Sequence, residues 1–344
     1  MEHKKRIEWI DLMKGFCIIL VVMHNGGALK QLENIDFFCT LVNVALMPLY
    51  FLLSGLFFKS YGSFPAFAAR KFRLLVVPVI VFGPLGGMLL DCVPWTEWSL
   101  SRLCDPARWV VYWSSFVNVP LWFLRALFVG SLMMYGLRAM LTHGAAIAAL
   151  IVLATSLGVY WFSACIPQLG EVERKMVMRC GLFQAAAMLP FLFAGRTIGS
   201  CGIAALKRSP RNMRMAAAAC VVGAVVCASM PSGKVSWCML VFELSPLSIL
   251  AGFVAAAAMV WGMSFLIGRL PYVSYLGRYS IVVLVTHFPL IYALRASSGM
   301  GALAASLTVL AVMPAVVWAC VRYIPWTCGL LSRPATPSVA DVLK

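Results

Sequence analysis

The sequence predicts an all-α fold, a polytopic membrane bundle of about ten transmembrane helices. Of its 344 residues, 62% are hydrophobic and only 12% are charged, which is more apolar surface than a soluble domain can bury. Apolar stretches of about 20 residues recur along the chain, and a helix of that length crosses a hydrocarbon layer of about 30 Å. The period-2 alternation of membrane β-barrel strands is absent, so helices must satisfy the backbone groups in lipid.

The apolar stretches give the elements in order. Predicted spans cover residues 10–28, 37–57, 74–91, 118–137, 144–164, 180–200, 215–230, 246–267, 277–295 and 302–321. We expect one membrane domain over residues 1–332 and a short disordered tail over 333–344. Segment 91–109 is predicted as a Trp-rich outer loop, and segment 231–246 as an outer short strand or re-entrant piece.

Charge predicts the orientation of the bundle. With a cytoplasmic N-terminus, most of the 28 Lys and Arg fall on the inner side and most of the 12 Asp and Glu on the outer side. Both termini are then cytoplasmic, as the positive-inside rule requires. The net charge of +16 is therefore a topology signal that also favours anionic lipid head groups, and no nucleic-acid partner is expected. The 12 cysteines include no C-x-x-C pair, so no metal site is predicted.

A histidine lies near the end of the first span, in the stretch "KGFCIILVVMHN" from Lys14 to Asn25. His24 follows Ile10 by 14 residues, about 21 Å along a helix, which places it in the outer half of the bilayer. Ionisable groups at this depth are costly and usually face a cavity or a partner. A neutral imidazole there can act as a general base. The alternative is an interfacial histidine that is hydrogen-bonded to a neighbour.

Cations cluster just before the third span, in "FAARKFRLLVVP". Arg70, Lys71 and Arg73 can form a clamp for an anionic ligand, because guanidinium groups bind phosphate oxygens through two parallel hydrogen bonds. Arg70 and Arg73 are three residues apart and share one helix face. An ordinary positive cytoplasmic loop has the same composition, and this reading stays open.

Two further ionisable residues lie inside predicted spans. Arg125, about one turn after Pro120, either reaches the interface with its long side chain or has a partner inside the membrane. His287 lies halfway along the ninth span. It either packs between helices or lines a cavity together with His24.

Six motifs occur in order along the chain: "RIEWIDLMKGFCIILVVMH", "MPLYFLLSGLFF", "ARKFRLLVVP", "PLWFLRALF", "LPFLFAGRTIG" and "YLGRYSIVVLVTHFPL". Together they resemble the acyltransferase-3 family of integral membrane O-acyltransferases. The resemblance implies an acyl-CoA co-substrate, acetyl-CoA above all, and transfer to a hydroxyl of an envelope glycan or glycolipid. It also implies a multi-pass protein of the bacterial cytoplasmic membrane.

The resemblance assigns roles to particular residues. Lys14 and His24 match the basic residue and the histidine of the family's first helix, and His24 is the expected general base. Arg70 and Arg73 match the family's Arg-x-x-Arg pair, which with Lys71 is expected to bind the CoA phosphates.

Other candidates surround these residues. Asp11, at the inner end of the first helix, is expected to orient Lys14 or an arginine of the clamp. The acceptor cavity is predicted to include Asn25, Trp122, Arg125 and His287.

The spacing in the first helix differs from the family pattern. Nine residues separate Lys14 from His24, whereas the family has ten. On a regular helix Asn25 lies about 20° from the Lys14 direction and His24 about 80° from it. A one-residue bulge or an unwound turn would bring His24 back to that stripe. Without it, the site is altered or inactive.

Alternatives of other classes remain. A small-solute transporter would use Arg125, His24 and His287 along its path, but the sequence shows no paired broken helices in its two halves. A non-catalytic scaffold of an envelope-synthesis complex is a third interpretation. For the enzyme, direct transfer and an acyl-enzyme route are both open. Ser54 is a possible nucleophile, although a Ser-Gly pair that eases helix packing is the favoured interpretation.

Overall fold

The computed structural model describes residues 7–30, 35–59, 62–91, 107, 118–138, 140, 144–202 and 206–328. The predicted tail and nearly all of the predicted loop 91–109 lie outside these residues. The helices are α1 (Glu8–Asn25), α2 (Asp36–Leu56), α3 (residues 64–91), α4 (Trp122–Gly136), α5 (Ala145–Ser163), α6 (Glu171–Cys180), α7 (Leu182–Ser200), α8 (Pro210–Ser229), α9 (Pro246–Ile267), α10 (Pro271–Arg278), α11 (Ser280–Ser298) and α12 (Ala302–Tyr323). Strands β1 (Val235–Ser236) and β2 (Val241–Phe242) form an antiparallel hairpin.

The described helices confirm the predicted membrane bundle. Nine helical segments among them are long and apolar enough to cross a bilayer, with α6 and α7 counted as one segment and α10 too short. Helix α1 has 18 residues but carries Glu8, Asp11 and Lys14, and is not among the nine. Each of the ten predicted spans therefore corresponds to a long helix, and α1 is the one of these that is not among the nine.

Helix α1 is enclosed by other helices, which explains why it tolerates charge. It packs against α2, α9, α10, α11 and α12. Its contact with α10 is backbone to backbone, because a Cβ on Gly15 would collide with the carbonyl of Val273, and one on Gly277 with the carbonyl of Asp11. By contrast α5 and α8, with only 17% of their apolar windows buried, form the periphery.

At three of the prolines within the described helices, a side chain donates to the carbonyl that the proline leaves without its helical partner. Proline lacks an N–H, so the carbonyl four residues earlier loses its helical donor. In lipid that carbonyl needs another donor. The donors and acceptors are Trp237 Nε1 to Val44 (3.1 Å, before Pro48), Asn118 Nδ2 to Val285 (2.9 Å, before Pro289) and Tyr272 Oη to Leu310 (2.5 Å, before Pro314).

The β hairpin closes one end of the bundle. Val235 pairs with Phe242 and Ser236 with Val241, and the turn between them holds Leu240 at a φ of 53°. This confirms the short strand expected in segment 231–246. We call this end of the bundle the hairpin end.

Candidate active site

A cavity of about 230 Å³ lies under the hairpin, next to the last turn of α1. His24 and Asn25 form one wall, and we call it the His24 cavity. The rest of the lining comes from α2, the turn before α4, the hairpin and α11: Val42, Asn43, Leu46, Met47, Val119, Pro120, Trp122, Val235, Ser236, Trp237, Cys238, Met239 and Leu284, with Val21 of α1. Polar side chains thus face a largely apolar chamber, which is the usual composition of a small-molecule site.

The side chain of Asn25 is positioned by His287. Its Nδ2 lies 3.3 Å from His287 Nε2, and His287 Nδ1 lies 2.9 Å from the carbonyl oxygen of Val283. A carbonyl only accepts hydrogen bonds, so Nδ1 carries the proton and Nε2 accepts from the amide. His287 is fully buried and is not among the residues that line the His24 cavity. His287 therefore acts on the site through its hydrogen bond with Asn25.

Trp122 and Arg125, both near the start of α4, have different surroundings. Trp122 is buried and lines the His24 cavity. Arg125 is half-buried and lies against the left-handed Gly181 that joins α6 to α7, so close that a Cβ on this glycine would come within 3.2 Å of the arginine. It does not line the described cavity.

A smaller cavity of about 110 Å³ lies further along α1, around Lys14. We call it the Lys14 cavity. Tyr50 and Ser54 of α2 line it, and the Tyr50 hydroxyl donates to the Lys14 carbonyl at 2.8 Å. Met47 and Leu284 line both cavities, so these two side chains form the partition between them.

Helix α1 connects the two cavities without a bulge. It is a continuous α-helix from Glu8 to Asn25, so neither the one-residue bulge nor the unwound turn is present. Lys14 and His24 are about 15 Å apart along the axis and about 80° apart around it. The departure from the family spacing therefore persists as an angular offset, and the site is altered in the way that the spacing predicts without a bulge: Lys14 and His24 line different cavities. Asn25, which is closer to the Lys14 direction, shares the His24 cavity.

Cations and aromatic rings meet where α2 ends. Lys14 Nζ lies 5.5 Å from the centre of the Phe57 ring, and Lys71 Nζ lies 5.6 Å from that of Phe58. The Arg196 Cζ lies 5.4 Å from the centre of the Phe58 ring, and Nη1 donates to the Phe58 carbonyl at 3.3 Å. Such stacking holds cations at a partly buried surface. We call this the cationic end of the bundle.

The remaining clamp candidates flank this end. Arg70 and Arg73 are exposed on α3, and Arg73 lies within a π-helical turn, Phe72–Val76. Isolated π turns often mark functional sites because they redirect side chains. Asp11 is half-buried one turn before Lys14 on α1.

A comparison with known protein families matches nearly the whole chain. A family model described as an acyltransferase domain, that of the acyltransferase-3 family, matches residues 7–324. The chain belongs to the acyltransferase-3 family. No curated protein and no solved structure matches it. Family membership indicates a membrane acyltransferase, and the matched range includes both cavities and the cationic end.

Sequence reasoning missed several residues of this candidate site. Asn43 belongs to the π-helical segment Thr40–Ala45, and no sequence pattern marked that segment. Ser236 and Trp237 come from the hairpin, which was recognised as irregular but not as a cavity wall. Arg196 had a usable signal in the sequence, because it lies within the motif "LPFLFAGRTIG" near the end of a predicted span.

Proposed function

We propose that this acyltransferase moves an acetyl group from acetyl-CoA to a hydroxyl of an envelope glycan or glycolipid, with His24 as the general base. The donor approaches the cationic end and the acceptor enters the His24 cavity. The protein acts in the bacterial cytoplasmic membrane, with both termini and the cationic end in the cytoplasm. This orientation follows the positive-inside rule and puts the donor entrance where acyl-CoA is made.

The single observation that carries the proposal is the pair of cavities along α1. One contains Lys14 and adjoins the cationic end, and the other contains His24 and Asn25 beneath the hairpin. Met47 and Leu284 line both, so the two cavities are adjacent at these side chains. A small displacement of the unbranched, flexible Met47 side chain would join the two chambers. An acyl group on a long flexible arm could then pass from one to the other.

The cationic end suits the phosphates of the donor. Arg70 and Arg73 are exposed and one turn apart, which allows both to bind phosphate groups of one ligand. Lys71 and Arg196 lie beside them over the Phe58 ring and add positive charge. Lys14, further inside, would meet the polar atoms of the pantetheine arm.

The hairpin end suits the chemical step. In direct transfer, a ring nitrogen of His24 takes the acceptor hydroxyl proton while the oxygen attacks the thioester carbonyl carbon. The carbon–sulfur bond then breaks, and the imidazolium returns the proton to the CoA sulfur. The products are an ester and CoA thiol. Asn25 and Asn43 carry amide donors in the same cavity, suited to the charge that develops on the carbonyl oxygen.

Mass spectrometry of ester-linked acyl groups on envelope glycans and glycolipids tests this function. A deletion strain is complemented with the normal protein, with His24→Ala or with Met23→Ala. Met23 precedes His24 on α1 but does not line its cavity. We expect one acyl ester to disappear in the deletion and in His24→Ala, and to return with the normal protein and Met23→Ala.

The same experiment separates the alternatives. An ester profile unchanged in the bare deletion would contradict the enzyme. Solute uptake by proteoliposomes of the purified protein would then favour a transporter. An ester lost in the deletion but restored fully by His24→Ala would retain the acyltransferase and remove His24 as its base.

A further inference from the structure

A third cavity, of about 290 Å³, opens on the bilayer side of the bundle near the hairpin end. We call it the lateral cleft. It lies between α5, α7, α9 and the hairpin. Its lining is Leu153, Ser156, Leu157, Tyr160, Ala187, Pro190, Phe191, Trp237, Phe242, Pro246, Leu247, Ile249 and Leu250.

The chemistry of the lateral cleft is that of a hydrocarbon site. Its hydroxyl groups are both committed to the backbone: Ser156 donates to the Ala187 carbonyl at 3.1 Å, and Tyr160 to the Leu244 carbonyl at 3.0 Å. The other lining side chains are apolar or aromatic, and no charged residue is among them. A charged head group would have no partner of opposite charge in the lateral cleft. An aliphatic chain would move from one apolar environment to another, at no cost in solvation free energy.

The surroundings supply such a chain. Leu153 of α5 is 51% exposed, and Leu247 and Leu250 of α9 are 75% and 51% exposed. In a spanning helix these side chains face lipid, so the mouth of the lateral cleft opens into the hydrocarbon layer.

The inner wall of the lateral cleft is also a wall of the His24 cavity. Trp237 lines both. Its indole is fixed by hydrogen bonds of 3.1 Å to the carbonyls of Asn43 and Val44, and by edge contacts with Phe191 and Phe242. The lateral cleft, which is apolar, and the His24 cavity, which carries polar side chains, thus share the Trp237 ring as a wall. A ligand that fills both must be an amphiphile with a chain at one end and hydroxyls at the other.

From this shared wall we infer that the acceptor is lipid-anchored and passes the edge of the Trp237 ring, with its hydrocarbon chain in the lateral cleft and its hydroxyl-bearing head group in the His24 cavity. The inference rests on the proposed function and narrows its acceptor class to a membrane lipid rather than a free glycan. The chain fixes the depth of the head group relative to His24. Trp237 marks the boundary between the two parts of the ligand.

Photolabelling tests chain binding without requiring activity. The probe is an alkyl glucoside with a diazirine at the end of a dodecyl chain, added to the purified full chain in nanodiscs. Leu250→Trp fills the lateral cleft, whereas Val254→Trp, one turn away on α9 and 56% exposed, does not line it. On α5, Leu153→Trp likewise fills the lateral cleft, and Leu150→Trp is its control because Leu150 does not line it. All four positions are exposed, and thermal unfolding checks that each variant is folded.

We expect labelled peptides from α5 and α9 around the lateral cleft, with labelling reduced several-fold by Leu250→Trp and Leu153→Trp but not by their partners. Unlabelled dodecyl glucoside should compete and methyl glucoside should not. Equal labelling of all variants, or an equal loss in both members of a pair, would indicate ordinary lipid contact and overturn the inference.

An activity measurement separates this inference from the proposed function. With labelled acetyl-CoA, we expect dodecyl glucoside to be a better acceptor than methyl glucoside, and Leu250→Trp to remove that preference through KM. His24-dependent transfer with no chain preference would overturn the chain site and leave the enzyme intact. Cleft labelling without any His24-dependent transfer would contradict the proposed function and reduce the inference to lipid binding.

Discussion

The Lys14 cavity and the His24 cavity lie on one helix but are built by different interactions. Around Lys14 the Tyr50 hydroxyl holds the backbone, but the charged side chains are stacked over Phe57 and Phe58, in contacts with broad geometric tolerance. Around His24 it relies on directed hydrogen bonds, from Trp237 to the α2 backbone and between Asn25 and His287. Charge attracts a ligand from a distance, whereas directed bonds fix atoms in place.

The difference separates two tasks. Capture of a charged donor needs a positive surface that adapts, and it should depend on ionic strength. Transfer of an acyl group needs atoms held to within a fraction of an ångström, and it should depend on shape. Substitutions at the hairpin end should therefore affect the rate of transfer, and substitutions at the cationic end the affinity for donor.

The largest effect is expected from His24→Ala. Removal of a general base lowers the rate by a factor of about 10² to 10⁴. Binding of acyl-CoA should be unchanged, since the clamp lies near the other end of the bundle. Transfer of labelled acetyl and binding of acetyl-CoA are measured on the same preparation. A parallel loss of donor binding would show that the two cavities do not have separate tasks.

A substitution at the partition tests whether the cavities communicate. Met47→Trp should close the passage and reduce transfer by a factor on the order of 10², because misplacement of the reacting group is very costly. Met47→Leu, which nearly conserves volume, serves as the control and should retain activity. Acetyl-CoA binding is measured in both variants. Full transfer by Met47→Trp would mean that the acyl group takes another path.

Substitutions of the clamp arginines should raise the KM for acetyl-CoA. Arg70→Ala and Arg73→Ala should each raise the KM for acetyl-CoA about tenfold, the value of one charge-assisted hydrogen bond. Arg269→Ala is the matched control, because Arg269 is also exposed and is 3.8 Å from Glu8. Initial rates at several donor concentrations and at low and high salt provide the measurement. A fall in kcat with constant KM would place these arginines outside the donor site.

A smaller effect concerns stability at the hairpin end. Trp237→Phe removes the donor to the Val44 carbonyl, which Pro48 has already deprived of its helical partner. A buried unpaired carbonyl costs about 1–3 kcal/mol of unfolding free energy. Pro48→Ala restores a backbone N–H, so Trp237→Phe should cost less in that background. Denaturant unfolding of the normal protein, the two single variants and the double variant gives the coupling energy. If the two losses of unfolding free energy simply add, Trp237 does not compensate for Pro48.

The smallest effect is expected from Ser54→Ala. The Ser54 hydroxyl donates to the Tyr50 carbonyl in its own helix at 2.8 Å, and the adjacent Gly55 is in backbone contact with α7. Activity should stay within a factor of about two, as for a substitution without a special mechanism. The measurement is the rate of acetyl transfer. A loss as large as that of His24→Ala would instead favour an acyl-enzyme on Ser54.

The sequence predicts the fold well because each span must satisfy its own backbone in lipid. Because this requirement is local, all ten long helices could be predicted from the sequence, including the charged α1. His24, Asn25 and Trp122 meet in one cavity as expected, because each lies at the same end of its own span. These positions follow from span boundaries alone.

The remainder depends on tertiary contacts that no local pattern encodes. Asn43 faces the cavity from a π-helical segment, and Trp237 arrives from a hairpin almost 200 residues away in the chain. His287 was expected in the cavity, but the structure places it behind Asn25. Arg125 lies beside Gly181, between α4 and the start of α7. For His287 and Arg125 the position along the helix was predictable from the sequence, but the direction of the side chain was not.

Sealed membrane vesicles test the central claim, that donor and acceptor use opposite ends of α1. Labelled acetyl-CoA is added outside inverted vesicles and outside right-side-out vesicles, each made with the normal protein or with His24→Ala. We expect labelled esters on lipid or glycan only in inverted vesicles that contain the normal protein. Equal labelling of right-side-out vesicles would contradict the account, because donor and acceptor would then meet on one side of the membrane.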